Sequence, residues 1–285
     1  MRRRAVIAVA LAALLAGCVG PDRRPDRPTA AEVERRQRLG AEAQEAIERH
    51  DLPRALAILD RLAAEAPRSA EVHHRYGLAL AAAGRLGEAE AQQRRALELD
   101  KDYVDAMVAL AEALDRLGRP GDALKQLDGA IELDPRRLDA QLAAGRVLEA
   151  LGRPDDALAA YFRALEVEPS STPALLRVAT IQLARDRPDQ ALARLDQVVE
   201  QAPDDPEARF RRGQAYLALR QPARAVGELE FAARRLPDRP DVFYHLALAL
   251  DAAHRRPEAL RAAERAERLA PDSAATRSLS RRLRR

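Results

Sequence analysis

Apolar residues along this chain recur at intervals of three and four, and the stretches that carry them come in pairs. In residues 104–117, VDAMVALAEALDRL, the apolar positions fall on one side of a 3.6-residue period. The same holds for residues 121–133, GDALKQLDGAIEL. Gly118 lies between the two stretches, and Asp134-Pro135 closes the second. This predicts two helices joined by a tight turn. Glycine tolerates the left-handed conformation that ends the first helix. Proline ends the second because the residue before it avoids the helical region.

The pair repeats along nearly the whole chain. Alanine recurs every 34 residues, at Ala55, Ala89, Ala123, Ala157, Ala191, Ala225 and Ala259. Twelve residues after each stands Pro67, Lys101, Pro135, Pro169, Pro203, Pro237 or Pro271, so Lys101 is the one break in that ladder. Twelve residues before each stands Ala43, Gly77, Ala111, Gly145, Ala179, Gly213 or Ala247. Small residues in both helices imply close approach of their backbones. The turns hold Gly84, Gly118 and Gly152 in three copies and His50, Asp186, Arg220 and His254 in the others. If those four adopt a positive φ, each bears roughly 1 kcal/mol of strain. Pro120, Pro154, Pro188 and Pro222 open second helices, where a missing N–H costs least.

A helix–turn–helix unit of 34 residues with these ladders resembles the tetratricopeptide repeat. GRLGEAEAQQRRALELD and GRPDDALAAYFRALEVEP are close to the second-helix pattern of that family. The missing Trp, and the often missing Tyr of the first helix, depart from it. The resemblance implies an all-α, right-handed superhelical solenoid of seven repeats over 32–273, divided as 36–69, 70–103, 104–137, 138–171, 172–205, 206–239 and 240–273. Residues 274–285 read as a basic capping helix, with Ala275, Leu279 and Leu283 as its apolar face.

The start of the chain follows a different rule. Arg2, Arg3 and Arg4 precede an apolar run from Ala5 to Ala16, and then comes Leu15-Ala16-Gly17-Cys18. The run suits a secretory signal and is short for a membrane span of roughly 20 residues. LAGC resembles the lipobox of bacterial lipoproteins, and Cys18 is the only cysteine in the chain. That resemblance implies a signal peptide over 1–17 and lipidation of Cys18. Residues 18–31 then form a proline-rich tether. An ordinary cleaved signal and an uncleaved anchor are the alternatives. By the sorting rule of enterobacterial lipoproteins, Val19 after the cysteine favours the outer membrane, with the protein facing the periplasm.

Composition changes the picture in two places. Aromatics make up 3% of the chain, and Trp and Asn are absent, so helices of small side chains are expected. The formal net charge of +3 invites a nucleic-acid reading. Without the three arginines of residues 1–17, however, 45 basic residues face 45 acidic ones, and no electrostatic footprint for nucleic acid remains. Arg277, Arg281, Arg282, Arg284 and Arg285 are a local exception that reads as a solvated helix end. The five histidines show no metal-ligand spacing, and no phosphate-binding loop occurs. No enzyme activity, cofactor or metal is expected.

What remains is protein binding. In tetratricopeptide proteins the ligand lies in a concave groove formed by first helices. Carried over residue by residue, one groove ladder reads His74, Val108, Leu142, Leu176, Phe210 and Tyr244. Beside it lie Glu112, Arg146 and Gln214, and Arg177 and Arg211 are placed to meet a carboxylate. The family's carboxylate clamp uses paired Asn, which this chain lacks. The apolar ladder suits a peptide segment, with Phe210 and Tyr244 as anchors. Packing between neighbouring first helices is the other reading for Val108, Leu142 and Leu176. Glu71, Asp105, Asp139, Glu207 and Asp241 begin first helices and suit the helix dipole. The expected role is a membrane-anchored scaffold in the cell envelope. Lipoproteins with such repeats resemble assembly factors of pili. An adaptor for peptidoglycan-processing enzymes and a polysaccharide-export component are the alternatives.

Overall fold

A computed structural model describes residues 29–285, which form fifteen α-helices and no strand. The lipobox, Cys18, the signal segment and most of the proline-rich tether lie outside the described residues. Among the described residues no helix is long and apolar enough to cross a membrane.

The chain divides into two units, at Pro67 and Arg68. In the first, helices α1 (Ala30–Glu48) and α2 (Leu52–Glu65) make one hairpin. Thr29 and Glu32 form a capping box that starts α1 six residues before the expected repeat boundary. Leu39, Ala43 and Ala46 are buried on α1, and Ala55, Leu59 and Leu62 on α2.

The second unit holds six hairpins. Their first helices are α3 (Ala70–Ala82), α5 (Val104–Arg116), α7 (Leu138–Ala150), α9 (Thr172–Ala184), α11 (Pro206–Ala218) and α13 (Pro240–Ala252). Their second helices are α4 (Leu86–Leu99), α6 (Pro120–Leu133), α8 (Pro154–Val167), α10 (Pro188–Gln201), α12 (Pro222–Arg235) and α14 (Arg256–Leu269). A last helix, α15 (Ala274–Arg284), follows. Each helix packs on the next in sequence. First helices also touch the following first helix, in α3–α5, α5–α7, α9–α11 and α11–α13. This is the contact pattern of a helical solenoid, with a chain of local cores in place of one centre.

The ladders read from the sequence have structural counterparts. All seven turn residues have positive φ: 77°, 74° and 69° at the glycines, and 59°, 55°, 56° and 60° at His50, Asp186, Arg220 and His254. Every second helix is capped by the residue before the closing position. Asp100, before Lys101, does so just as the residues before proline do. Proline is therefore sufficient at that site without being required.

The small residue of each first helix has a partner sixteen positions on, which periodicity alone did not reveal. A Cβ on Gly145 would stand 2.5 Å from Cζ of Tyr161, and one on Gly77 would meet the amide of Gln93 equally closely. Two other hairpins carry alanine opposite leucine, Ala111 with Leu127 and Ala179 with Leu195, and all four side chains are buried. Gly213 faces Leu229 closely enough to need glycine as well.

The capping helix differs in detail from the expectation. Ala275 is exposed, and the buried face is Thr276, Leu279, Ser280 and Leu283. Thr276 faces inward because its hydroxyl donates to the carbonyls of Ala270 (3.1 Å) and Ser273 (3.0 Å), which ties the helix start to the end of α14. Leu279 and Leu283 complete the core that α13 and α14 leave open.

Candidate functional site

The expected apolar ladder is only partly a surface. His74, Val108 and Phe210 are buried, while Leu142, Leu176 and Tyr244 are half-buried. The reasons are local. His74 donates from Nδ1 to Oε1 of Gln93 (2.9 Å), the Gln93 amide donates back to the His74 carbonyl (3.0 Å), and the imidazole stacks against Tyr103. These bonds hold His74 inward, where its side chain is buried. Val108 belongs to the core of the third and fourth repeats.

Phe210 corrects the expectation most sharply, because at 1% exposure it cannot anchor a ligand. Its ring packs edge-on against His245, with centroids 5.5 Å apart, inside the core of the last two repeats. The guanidinium groups of Arg211 and Arg239 lie over the ring at 5.2 and 5.5 Å. Phe210 is thus a platform for two cations. Tyr244 packs edge-on against His245 at 5.4 Å and keeps part of its surface in solvent.

Those cations belong to a cleft of about 470 Å³ on the first helices of three successive repeats, α7, α9 and α11. Leu142, Leu176 and Pro173 give it apolar lining. Arg146, Arg177, Arg211 and Arg239 give it charge, and Glu207 is the one carboxylate among the lining residues. Of the expected groove residues, Leu142, Arg146, Leu176, Arg177 and Arg211 are therefore brought together. Glu112 lies in an adjoining smaller cleft of about 280 Å³ with Asp115 and Arg116, and Arg146 borders both. The sign of the wall thus changes from acidic on α5 to basic on α7 through α11.

The hydrogen bonds show how firmly each cation is held. Arg211 donates to Glu207 (2.8 Å) and to Gln214 (3.2 Å). Arg239 donates to the other oxygen of Glu207 (3.1 Å) and to Asp241 (2.8 Å). The hydrogen bonding from Arg239 to Asp241 holds that carboxyl below the usual carboxylate range. Arg146 approaches Glu112 at 3.4 Å and Arg177 approaches Glu149 at 3.7 Å, both looser than a charge-assisted hydrogen bond. Glu149 is already engaged, because buried Tyr161 donates its hydroxyl to it at 2.5 Å. Burial and that bond push the Tyr161 phenol up.

Gln214 is tied inward. Its amide donates to Nε2 of His245 (3.1 Å), whose Nδ1 donates to the carbonyl of Asp241 (2.7 Å). Burial lowers the pKa of His245, and the neutral ring satisfies both bonds.

Sequence reasoning missed Arg239, Tyr161 and Pro173 as lining residues and took Glu207 only as a dipole partner, whereas Thr180 falls on the same ladder as Arg146 and Gln214. Tyr161 comes from a second helix and reaches the cleft because Gly145 leaves room for it. Arg239 lies in the turn before α13, outside every ladder, and 34 residues earlier the chain has Asp205. Periodicity gave no signal for it. Among the described residues no group of His, Cys, Asp and Glu is arranged to hold a metal ion.

Comparison with known proteins gives a consistent family result. One tetratricopeptide-repeat profile matches residues 41–104, 108–172 and 212–274, and a second matches 148–210. No curated protein matches the chain in sequence. Among solved structures, PilF of Pseudomonas aeruginosa is similar at 18% identity, with a TM-score of 0.67 over 75% of this chain and 97% of its own. A tetratricopeptide repeat protein from Parabacteroides merdae is 18% identical, with a TM-score of 0.61 over 88% of this chain and 99% of its own. YrrB, a tetratricopeptide protein with an unusual peptide-binding site, is 23% identical, with a TM-score of 0.58 over 66% of this chain and 97% of its own.

Proposed function

This chain belongs to the tetratricopeptide repeat family, and on that premise we propose that it is a lipid-anchored scaffold of the bacterial cell envelope that grips a partner polypeptide in the cleft of α7, α9 and α11. Tetratricopeptide repeats serve as protein-interaction scaffolds. The observation that carries the reading is the cleft itself, lined by apolar and charged side chains mostly from the first helices of consecutive repeats. YrrB, of the same fold, has a peptide-binding site.

The anchor rests on LAGC and its single cysteine. Each buried methylene of an acyl chain contributes about 0.8 kcal/mol, so two or three chains hold a protein at the bilayer lastingly. Val19 after Cys18 supports an outer-membrane location facing the periplasm, by the sorting rule of enterobacterial lipoproteins. A lipobox followed by these repeats supports a place in pilus or secretion-system assembly.

Two measurements test this. Cys18→Ser should move the full chain from the membrane to the soluble fraction, and retention in the membrane would remove the lipid anchor from the proposal. A photo-crosslinker at Thr180, on the cleft wall, should capture one discrete protein in cells. An equal yield from Ala159, exposed on second helix α8, would remove the cleft from it.

A further inference from the structure

We propose that the cleft selects an acidic partner segment, an extended stretch in which carboxylate side chains alternate with aliphatic ones. The inference rests on the scaffold reading above and specifies the chemistry of its ligand. Four guanidinium groups line the cleft against one lining carboxylate, Glu207, which Arg211 and Arg239 already divide between its two oxygens. Each guanidinium carries five N–H donors in a fixed fork. Arg146 makes one long bond of 3.4 Å, and Arg177 makes only its 3.7 Å approach to Glu149. Both side chains are about half exposed and line the cleft.

These donors are partly set in place before any ligand arrives. Arg211 and Arg239 rest on the Phe210 ring and are fixed through Glu207. A preorganised fork loses less freedom on meeting a carboxylate than a mobile one. Lysine would not reproduce the bidentate geometry.

The backbone of the ligand follows from spacing. Arg177 and Arg211 stand 34 residues apart, at the same position of adjacent repeats, on first helices that pack together. Neighbouring helix axes lie about 8–10 Å apart. In an extended chain, side chains two residues apart point to one side and lie about 7 Å apart, within the reach of both arginines. The intervening side chains then face Leu142, Leu176 and Pro173. Register is set by repulsion as well, since Glu112 and Asp115 in the adjoining cleft oppose any further carboxylate beyond Arg146.

The test uses the full chain and three fluorescein-labelled octapeptides, alternating Glu-Leu, Gln-Leu and Lys-Leu, read by anisotropy. The Glu-Leu peptide should bind at least tenfold more tightly than Gln-Leu, Lys-Leu should not bind, and raising the salt should narrow the difference. Arg146→Gln with Arg177→Gln should cut Glu-Leu binding at least fivefold while leaving the urea midpoint unchanged. Equal binding of Glu-Leu and Gln-Leu, preference for Lys-Leu, binding of none of the three, or an unaffected double variant would each overturn the inference. A partner captured at Thr180 together with any of those results leaves the scaffold standing and removes only its acidic selectivity. Glutamate-dependent binding without any capture in cells would do the reverse.

Discussion

The fit between Gly145 and Tyr161 makes a quantitative prediction about how the hairpins are packed. Gly145→Ala would put a methyl group 2.5 Å from Cζ and 2.8 Å from Cδ1 of the Tyr161 ring, where carbon atoms normally stay about 3.5–4.0 Å apart. The ring is fully buried and its hydroxyl is tied to Glu149, so it cannot swing aside without breaking that bond. Overpacking of this kind costs about 1–3 kcal/mol. Alanine returns about 1 kcal/mol through its helix propensity, which leaves a net loss of about 0–2 kcal/mol. Tyr161→Leu alone loses the hydrogen bond to a charged group, about 1.5–3 kcal/mol, and leaves space beside Gly145. The double variant recreates the alanine–leucine pair that the chain already uses at Ala111 with Leu127. It should therefore be more stable than the sum of the single changes by the relieved overpacking, about 1–3 kcal/mol, within the usual range for residues in contact. Urea unfolding followed by circular dichroism gives the three values. Hydrogen exchange in α7 and α8 localises them, since a solenoid can unfold in segments. Additivity within about 0.5 kcal/mol, or a stabilised Gly145→Ala, would refute the packing argument.

Five further substitutions have definite signs. Arg220→Gly, at φ 56°, should raise stability by about 1 kcal/mol, and Gly118→Ala, at φ 74°, should lower it by a similar amount, both read from urea midpoints. Phe210→Ala should cost about 3–5 kcal/mol as a core truncation, with Tyr244→Ala costing far less; a Phe210 loss below about 1 kcal/mol would return that ring to the surface. His245 has a folded pKa below the ordinary value near 6.5. The unfolded chain therefore binds its proton first, and the contribution of His245 is complete above that value and declines as pH falls through it toward the folded pKa. Urea midpoints of the wild type, relative to His245→Gln, should fall between about pH 7 and 5, and parallel curves would contradict the assignment.

The fold was legible because its repeat has a fixed length. Ladders of small residues, turn residues and closing residues run in register through seven repeats, and each rests on a local rule that needs no tertiary information. The turn positions were read correctly even at His50, Asp186, Arg220 and His254, where the residue type argues against positive φ and only the register argues for it. The cleft was half legible. Register put Leu142, Arg146, Leu176, Arg177 and Arg211 on one wall, but it does not record depth. Phe210 shares its ladder with Leu176 yet is buried, because Arg239 from the next turn covers it. Arg239 and Tyr161 enter from a turn and a second helix, so no first-helix ladder could find them. In the capping helix, Ala275 was chosen over Thr276 on hydrophobicity alone, while the hydroxyl bonds of Thr276 decide which side faces inward.

Hydrogen exchange of the full chain with and without the protein captured at Thr180 tests the central claim most directly. If the first helices form the gripping wall, protection should appear on α7, α9 and α11 and in the turn that carries Arg239, with α8, α10 and α12 unchanged. Protection confined to the second helices, or to α15, would place the partner on another face and contradict the assignment of the cleft.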